Sequence, residues 1–382
     1  MKRVGICAVA QTTYERNKWY QRFQGMALDV LEELLAQTGL DFSEDKGINM
    51  TISVSDDVFD ARTISDSGMT DVLGAHFRCE EKVAQEGLQA VYYGLAAILS
   101  GHQDVVLIIG HCKESQGESR NLVTHMAFDP YYTRPVGLDF LAAAGLQARA
   151  YGLRSGLSEE QLARVVVRAR ENAAKNKYTN EVAPVTAEEV MNSPLLADPI
   201  RELHAYPVSD GCVGMILAKE ELAKKLTDKP VWISGTGNCM DSFFLGDRDY
   251  ADNFALKKAA ERAYKRAGVK DPKAEFDVVE LSDQYAYQQP MWAEGLGLCE
   301  DNAGPAFVDS LGENGGPAVN PSGGMLAGNP LILGGLVRAA ECALQLKGEA
   351  GEHQVDGAKK ALAHGVMGPA GQYHTVVVLE RD

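Results

Sequence analysis

The sequence predicts a duplicated α/β fold, and three observations lead there. The first is the segment His76–Lys113. A polar-apolar run, Ala75 to Val83, predicts a strand, and Gly87–Leu99 sets Leu88, Val91, Tyr92, Leu95, Ile98 and Leu99 at helical spacing before Ser100-Gly101 stops the helix. Val105–Ile109 is an unbroken apolar run, the pattern of a strand buried on both faces. Strand, tight turn, helix and strand in that order present one residue at a helix N-terminus: Ala84, Gln85 or Glu86. The second observation is a repeat. Helix, Gly, strand and Ser-Asp occur at Phe23–Thr38, Gly39, Ile48–Ser55 and Ser55-Asp56, and again at Leu256–Ala267, Gly268, Phe276–Leu281 and Ser282-Asp283. The third is residues 114–205, where helices poor in Gly (138–151, 159–175) alternate with loops bearing Pro130, Pro135, Pro184 and Pro194. Such a stretch reads as an insertion over the end of a sheet.

Taken in order, Val4–Ala10 is a buried strand, followed by the first copy of the repeat and the His76–Lys113 segment. After the insertion, Ser209-Asp210-Gly211 leads into a core strand. Val231–Gly235 opens the second copy. A Val319-Asn-Pro-Ser-Gly-Gly324 loop, a helix over 331–346 and a last strand, Thr375–Leu379, complete it. The expected division is an N-terminal half, 1–225, with the insertion at about 114–205, and a C-terminal half, 226–382.

Composition narrows the function classes. The 382 residues are 45% apolar and 24% charged, ordinary for a globular chain. A net charge of −16 argues against nucleic acid and anionic membranes as partners. No apolar run reaches the roughly 18 residues of a membrane span, and Met1-Lys2-Arg3 leads straight into a strand, so no signal peptide is expected. Seven scattered cysteines without C-x-x-C suit a reducing cytosol, and a cytoplasmic location is expected. No metal site is expected: His111, Cys112 and His125 have irregular spacing. Gly315-Gly316 and Gly323-Gly324 belong to neither a P-loop nor a dinucleotide fingerprint. The cluster Arg164, Arg168, Arg170, Lys175 and Lys177 is either a solvated helix face or a receiver for phosphates.

Gly87, Ser100-Gly101 and Asp104-Val-Val-Leu-Ile-Ile-Gly110 resemble the nucleophile segment of the thiolase superfamily, which reads roughly Cys-x-Ser-Gly, an Ala/Leu-rich helix, Ser/Thr-Gly and Asp-Val-Val-Leu-Val-x-Gly. The resemblance covers nearly the whole chain. It implies the thiolase fold: a duplicated five-layer α-β-α-β-α core with an inserted loop domain. Four loops would then meet at an active site. The family's nucleophilic Cys falls on Ala84, and a methyl group cannot attack a thioester. Cys79, inside the strand, is a poor substitute, and Cys212 reads as packing. The second loop, His-Asp-x-Phe or Asn-Glu-x-Phe in the family, reads Ser282-Asp283-Gln284-Tyr285. The third, Gly-His-Pro, reads Gly328-Asn329-Pro330. Asn can donate to an oxyanion but cannot take a proton. The fourth, a Gly-rich C-terminal loop, reads His364-Gly-Val-Met-Gly-Pro-Ala-Gly371. Its His is either a base titrating near neutrality or a partly exposed loop residue. Ala84, Ser282, Asn329 and His364 are therefore the candidate catalytic positions. Gln85, Gly87, Asp283, Tyr285, Gly324 and Gly328 are the candidate substrate-binding ones, and Tyr285 and Tyr287 read equally as packing. Ala84 is either a natural divergence or a substituted nucleophile. The changes at Ser282 and Asn329 favour divergence.

The Ser-Asp-x-Tyr and Asn-x-x-Gly-Gly spacings and the ending His374-Thr-Val-Val-Val-Leu-Glu380 are similar to sterol-carrier-protein-type thiolases. Several members are two-component, benzoylsuccinyl-CoA thiolase, diacetylphloroglucinol acetyltransferase and the steroid side-chain aldolases among them. The resemblance implies a CoA thioester as substrate with no covalently bound cofactor. It also implies a homodimer or a heterodimer of thiolase-like chains, and a small zinc-finger and OB-fold partner. The expected chemistry is C–C bond formation or cleavage beside the thioester, of acyltransferase or aldolase type. Backbone N–H groups near Gln85–Gly87, together with Asn329, are the expected enolate donors. The alternative is a non-catalytic partner of an active thiolase subunit.

Overall fold

Ten strands form one sheet system. In chain order they are β1 (Val4–Gln11), β2 (Met50–Val54), β3 (Cys79–Val83), β4 (Val105–Lys113), β7 (Asp210–Lys219), β8 (Val231–Met240), β9 (Val278–Glu280), β10 (Ala318–Val319), β11 (Lys360–Met367) and β12 (Tyr373–Glu380). A separate pair, β5 (Leu195–Ala197) with β6 (Ile200–Arg201), lies in the insertion. The ten neighbour one another in the order β10-β9-β11-β12-β8-β1-β7-β4-β2-β3. This computed structural model describes residues 3–43, 47–84, 86–179, 182–312 and 316–382.

Counted within each half, the order is the same: third, second, fourth, fifth, first strand. The directions match too. β2 runs parallel to β3 and β4, as β9 does to β10 and β11, and the fifth strand is antiparallel to the fourth and the first in both halves. The two half-sheets are paired to each other through Gly5↔Trp232 and Ile6↔Val231. Between them lie two helices, Leu88–Leu99 and Gly334–Lys347, each packed on strands of both halves. Phe23–Thr38 covers the outer face of the N-terminal half, and Phe254–Ala267 that of the C-terminal half. The result is five layers, α-β-α-β-α.

Local chemistry explains the elements. β4 and β7 are buried almost throughout and are read from continuous apolar runs. The two outer helices end on Gly39 (φ 66°) and Gly268 (φ 73°), left-handed caps with no Cβ penalty. Ser158 and Gln161 form a capping box that starts Glu159–Ala173. The Gly334–Lys347 helix is buried along its whole length, its polar residues Arg338, Glu341, Gln345 and Lys347 included.

Several boundaries differ from the sequence reading. The strand expected from Ala75 begins only at Cys79; His76 and Phe77 occupy a turn, with Phe77 at φ 60°. β4 extends to Lys113 and β8 to Met240, because pairing with their neighbours in the sheet carries on past the apolar runs. The helix expected at 331–346 starts at Gly334, after a 3₁₀ turn over Leu331–Leu333. Residues 364–367, expected in a Gly-rich loop, belong to β11, which pairs along its full length with β12. Among the described residues no helix is long and apolar enough to cross a membrane.

Candidate active site

The turn after β3 sets the site. Its Gly87 lies against the other central helix: a Cβ there would stand 2.6 Å from Leu336 Cβ, and its N–H donates to Ile332 O at 2.8 Å. Only glycine allows that approach. Ala84 is exposed in the same turn. Gln85, a candidate substrate contact, lies outside the described residues.

Glu86 is the turn's buried side chain. Its Oε2 accepts from Leu88 N–H at 3.0 Å and its Oε1 from Gly335 N–H at 2.7 Å. Burial pushes the carboxyl up to about 8, against the backbone N–H groups of Gly335, Leu88 and Gly87. Gly335 and Gly365 make the room: a Cβ at either would stand 2.2 or 2.1 Å from a Glu86 oxygen. Of the expected enolate donors, the Gly87 N–H is spent on Ile332 O, and the neighbouring Leu88 N–H on Glu86, so neither is presented to a ligand.

In the second loop, Ser282 Oγ donates to His364 O at 2.8 Å and its N–H to His364 Nδ1 at 3.4 Å, while Trp292 Nε1–H donates to Ser282 O at 3.2 Å. Asp283 is fully buried and accepts from Met325 N–H (2.8 Å), Asn320 Nδ2–H (3.0 Å) and Gln289 Nε2–H (3.2 Å). Burial pushes it up to about 7. Gly324, at φ 68°, closes on it; a Cβ there would meet Asp283 Oδ1 at 2.5 Å. Asp283 and Gly324, expected as substrate contacts, thus strap one active-site loop to another.

Asn329 is fully buried. Its Oδ1 accepts from Arg338 Nη2–H, and its Nδ2 has no acceptor among the described residues. Gly328 before it, at φ 109°, packs against Ser209 and Pro207. His364 corrects both sequence readings: it is neither exposed nor in a loop. It lies in β11 with its ring buried, its Nε2 2.9 Å from His374 Nδ1, and the Trp292 edge against both rings. Burial and its partner His374 hold it well below the usual histidine range, and burial takes His374 down to about 3. A ring so placed stays neutral and faces protein.

Ser282 and His364 are therefore in direct contact. Gly334 reaches Ser282, since a Cβ there would be 3.4 Å from its Oγ, and Gly87 reaches Ile332. The segment 325–336, which includes Asn329, thus touches the turn at 84–87 and the loop at 282. A cavity of about 320 Å³ lies beyond Gly328, lined by Arg120, Arg170, Tyr206, Pro207 and Tyr285 among others. Tyr285 stands edge-on to Tyr206 and stacks on Tyr287. Arg120 lies 3.6 Å over the Tyr206 ring and pairs with Glu114. Of the basic cluster, Arg164 pairs with Asp309 at 2.6 Å and Arg168 donates to Val308 O, whereas Arg170 lines the cavity, with its Nε lacking an acceptor among the described residues. His111 and Cys112 meet at the buried Asp60, His111 Nδ1 at 3.4 Å and Cys112 Sγ–H at 3.4 Å, while His125 is elsewhere, against Leu138 O.

Two things were missed in the sequence. Glu86 was offered only as one of three turn residues. A lone acid at the start of an apolar helix was its signal. Arg338 and Glu280 gave a clearer one, as charged residues inside apolar runs.

The strand order and the two central helices define a thiolase-fold protein. Comparison agrees. Residues 239–381 match the family described as "Thiolase C-terminal domain-like". The acetyl-CoA acetyltransferase of Methanothermobacter thermautotrophicus is 31% identical over 389 residues, which span 97% of this chain and 98% of that protein. The benzoylsuccinyl-CoA thiolase subunit BbsB of Thauera aromatica is 26% identical over 287 residues, 72% of each chain. The solved structure of the "Ltp2-ChsH2(DUF35) aldolase" superposes with a TM-score of 0.82 at 20% identity, over 100% of this chain and 98% of that one. The chain belongs to the thiolase superfamily; the sterol carrier protein 2 of Oryctolagus cuniculus is 32% identical to it over 300 residues, 73% of this chain and 54% of that protein.

Proposed function

We propose that the chain binds a CoA thioester and makes or breaks a C–C bond beside the thioester without an acyl-enzyme. The observation behind this reading is Asn329: a buried amide whose oxygen is held and whose N–H donors have no acceptor among the described residues, in the loop where the family has His. A buried donor left unpaired costs stability unless a ligand pairs it. A thioester oxygen that gains charge is such an acceptor. The thioester lies between the Ala84 turn and Asn329, and the arginine-lined cavity beyond Gly328 takes the anionic part of the coenzyme. In aldol-type cleavage of a β-hydroxyacyl thioester, the hydroxyl gives its proton to a solvent water, the Cα–Cβ bond breaks, its electron pair passes into the thioester enolate, and the hydroxyl carbon leaves as the carbonyl of an aldehyde or ketone. Asn329 stabilises that enolate until Cα takes a proton back from water. The methyl of Ala84 leaves the thioester carbon unattacked. Names among the relatives, an acetyltransferase, a thiolase subunit and an aldolase, support this class.

The chain acts as a dimer in this reading. β3 pairs only with β2 and its other edge is free among the described residues, beside exposed Phe77. A small zinc-finger and OB-fold partner and a cytoplasmic setting belong to the same proposal. The two-component name of the aldolase neighbour supports the partner, and seven unpaired cysteines support the setting. A second reading, a non-catalytic partner of an active thiolase chain, is favoured by one observation: His364 is neutral and enclosed, so the expected base is missing.

Calorimetry with a panel of CoA thioesters tests the binding half. Arg170→Ala is expected to weaken binding about tenfold, the loss of a charge-assisted contact. Product analysis with β-hydroxyacyl-CoA tests the chemistry. Binding without any turnover, alone or with its partner subunit, establishes the second reading. No binding to any thioester overturns both.

A further inference from the structure

We infer that Arg338, clamped by Glu280 and Ser322, is a positioning residue that sets which way the Asn329 amide points, so that its N–H donors face the reacting thioester oxygen. The inference rests on the proposed acyl-CoA site and goes one layer behind it.

An asparagine amide has a donor end and an acceptor end of nearly the same shape, and an unrestrained side chain turns over at little cost. An oxyanion site cannot tolerate that, because the flipped amide presents an oxygen to an oxygen. A guanidinium carries donors only, so whatever faces it must be the carbonyl end. Arg338 Nη2–H donates to Asn329 Oδ1, and Nδ2 is thereby forced to the opposite side, where it has no acceptor among the described residues.

The guanidinium is itself fixed. Its Nη1–H groups donate to Glu280 Oε2 at 2.7 Å and to Ser322 Oγ at 2.9 Å. Glu280 accepts in addition from Ser322 N–H at 3.0 Å and Ser322 Oγ–H at 2.7 Å. Both charged side chains are at most 1% exposed. A buried ion pair is a poor way to gain stability, because well-packed apolar residues of similar volume often serve as well or better. Its position here matches a geometric task. Arg338 is one helical turn beyond Gly334 and Gly335, which touch Ser282 and Glu86, and it spans from β9 to the Gly328-Asn329-Pro330 loop. A lysine keeps the charge toward Glu280 but offers a point donor in place of the fork, so it cannot hold both partners in one geometry.

The test uses the full-length chain and acetyl-CoA carrying a ¹³C-labelled carbonyl. In the parent, infrared difference spectra are expected to show the bound thioester carbonyl shifted to lower frequency, and ¹⁵N-asparagine labelling to give one Asn329 side-chain amide pair protected from exchange. In Arg338→Lys, and in the double variant Arg338→Met/Glu280→Met, which leaves no orphaned charge, the carbonyl shift is expected to vanish as it does in Asn329→Ala. The amide pair should lose its protection, acetyl-CoA affinity should stay within about threefold, and acetyl-CoA α-proton exchange should fall roughly 10²-fold. A merely structural Arg338 predicts the reverse: lowered melting temperature with the carbonyl shift intact. Folded variants that keep the parent's carbonyl shift, or the parent's Asn329 resonances, overturn the inference. A parent that shows no carbonyl shift overturns the oxyanion role of Asn329 instead, and the amide resonances of the Arg338 variants still decide whether Arg338 fixes its orientation.

Discussion

Replacing Gly365 by alanine places a methyl where no atom fits. An ideal Cβ at Gly365 stands 2.1 Å from Glu86 Oε2 and 2.4 Å from its Cδ. Relief requires the carboxyl to move, and the carboxyl is held at both oxygens by Leu88 N–H and Gly335 N–H. Gly365 cannot retreat either, because β11 is paired with β12 through Gly365↔Thr375. Overpacking in a closed core costs about 1–3 kcal/mol. Orphaning a buried backbone donor costs about 1–3 kcal/mol more. Gly365→Ala is therefore expected to destabilise by about 3–5 kcal/mol, measured as a lowered urea midpoint at unchanged slope. The same methyl in a Glu86→Ala background enters vacated space, so the double variant should be no less stable than Glu86→Ala alone. That amounts to a coupling of at least about 3 kcal/mol in the cycle, the whole cost of Gly365→Ala. A Gly365→Ala variant within about 0.5 kcal/mol of the parent, or strictly additive effects, would refute the cradle around Glu86.

Glu86 also makes stability depend on pH. Its carboxyl is raised from 4.5 to about 8, so the protonated form's advantage is complete below 4.5 and is lost as pH rises through about 8. Glu86→Gln should gain on the parent across that window, by at most about 1.4 kcal/mol per pH unit, and a flat difference would contradict the burial argument. His374 acts at the other limb. Lowered from 6.5 to about 3, it supports the fold above 6.5 and withdraws that support as pH falls toward 3, so His374→Phe should flatten the acid arm of a melting-temperature profile. His364→Ala should lower stability first, by about 1–3 kcal/mol for each buried partner it orphans, with activity lost alongside; full stability with activity abolished would restore His364 as a solvent-facing base. Ala84→Cys should create a thiol alkylated by iodoacetamide and protected by coenzyme A, whereas an inert thiol would move the turn out of the site.

Much of the fold was legible because its signals are periodic. The repeat of helix, Gly, strand and Ser-Asp returns as two half-sheets with one strand order, and the apolar run at Val105 returns as a strand buried on both faces. β11 was not legible, because His364, Gly365 and Gly368 read as loop chemistry, while the pairing with β12 that makes 364–367 a strand is a tertiary fact. The site was legible as a set of loops and not as a set of atoms. Motif positions found Ser282, Asn329 and His364, but which face protein and which face a ligand depends on partners distant in sequence. Arg338 takes the Asn329 oxygen, His374 and Trp292 enclose His364, and Met325, Asn320 and Gln289 absorb Asp283. The Gly87 N–H, one of the donors expected at the helix N-terminus, was lost for the same reason, since no spacing shows that Ile332 O consumes it.

The central claim is a thioester site that works without an acyl-enzyme. Incubation of the full-length chain with acetyl-CoA, followed by intact-mass spectrometry and by calorimetry on the same sample, tests it most directly. The account predicts saturable binding with the protein mass unchanged. An acetyl adduct on Cys79, Cys212 or any other residue would contradict it, as would the absence of binding.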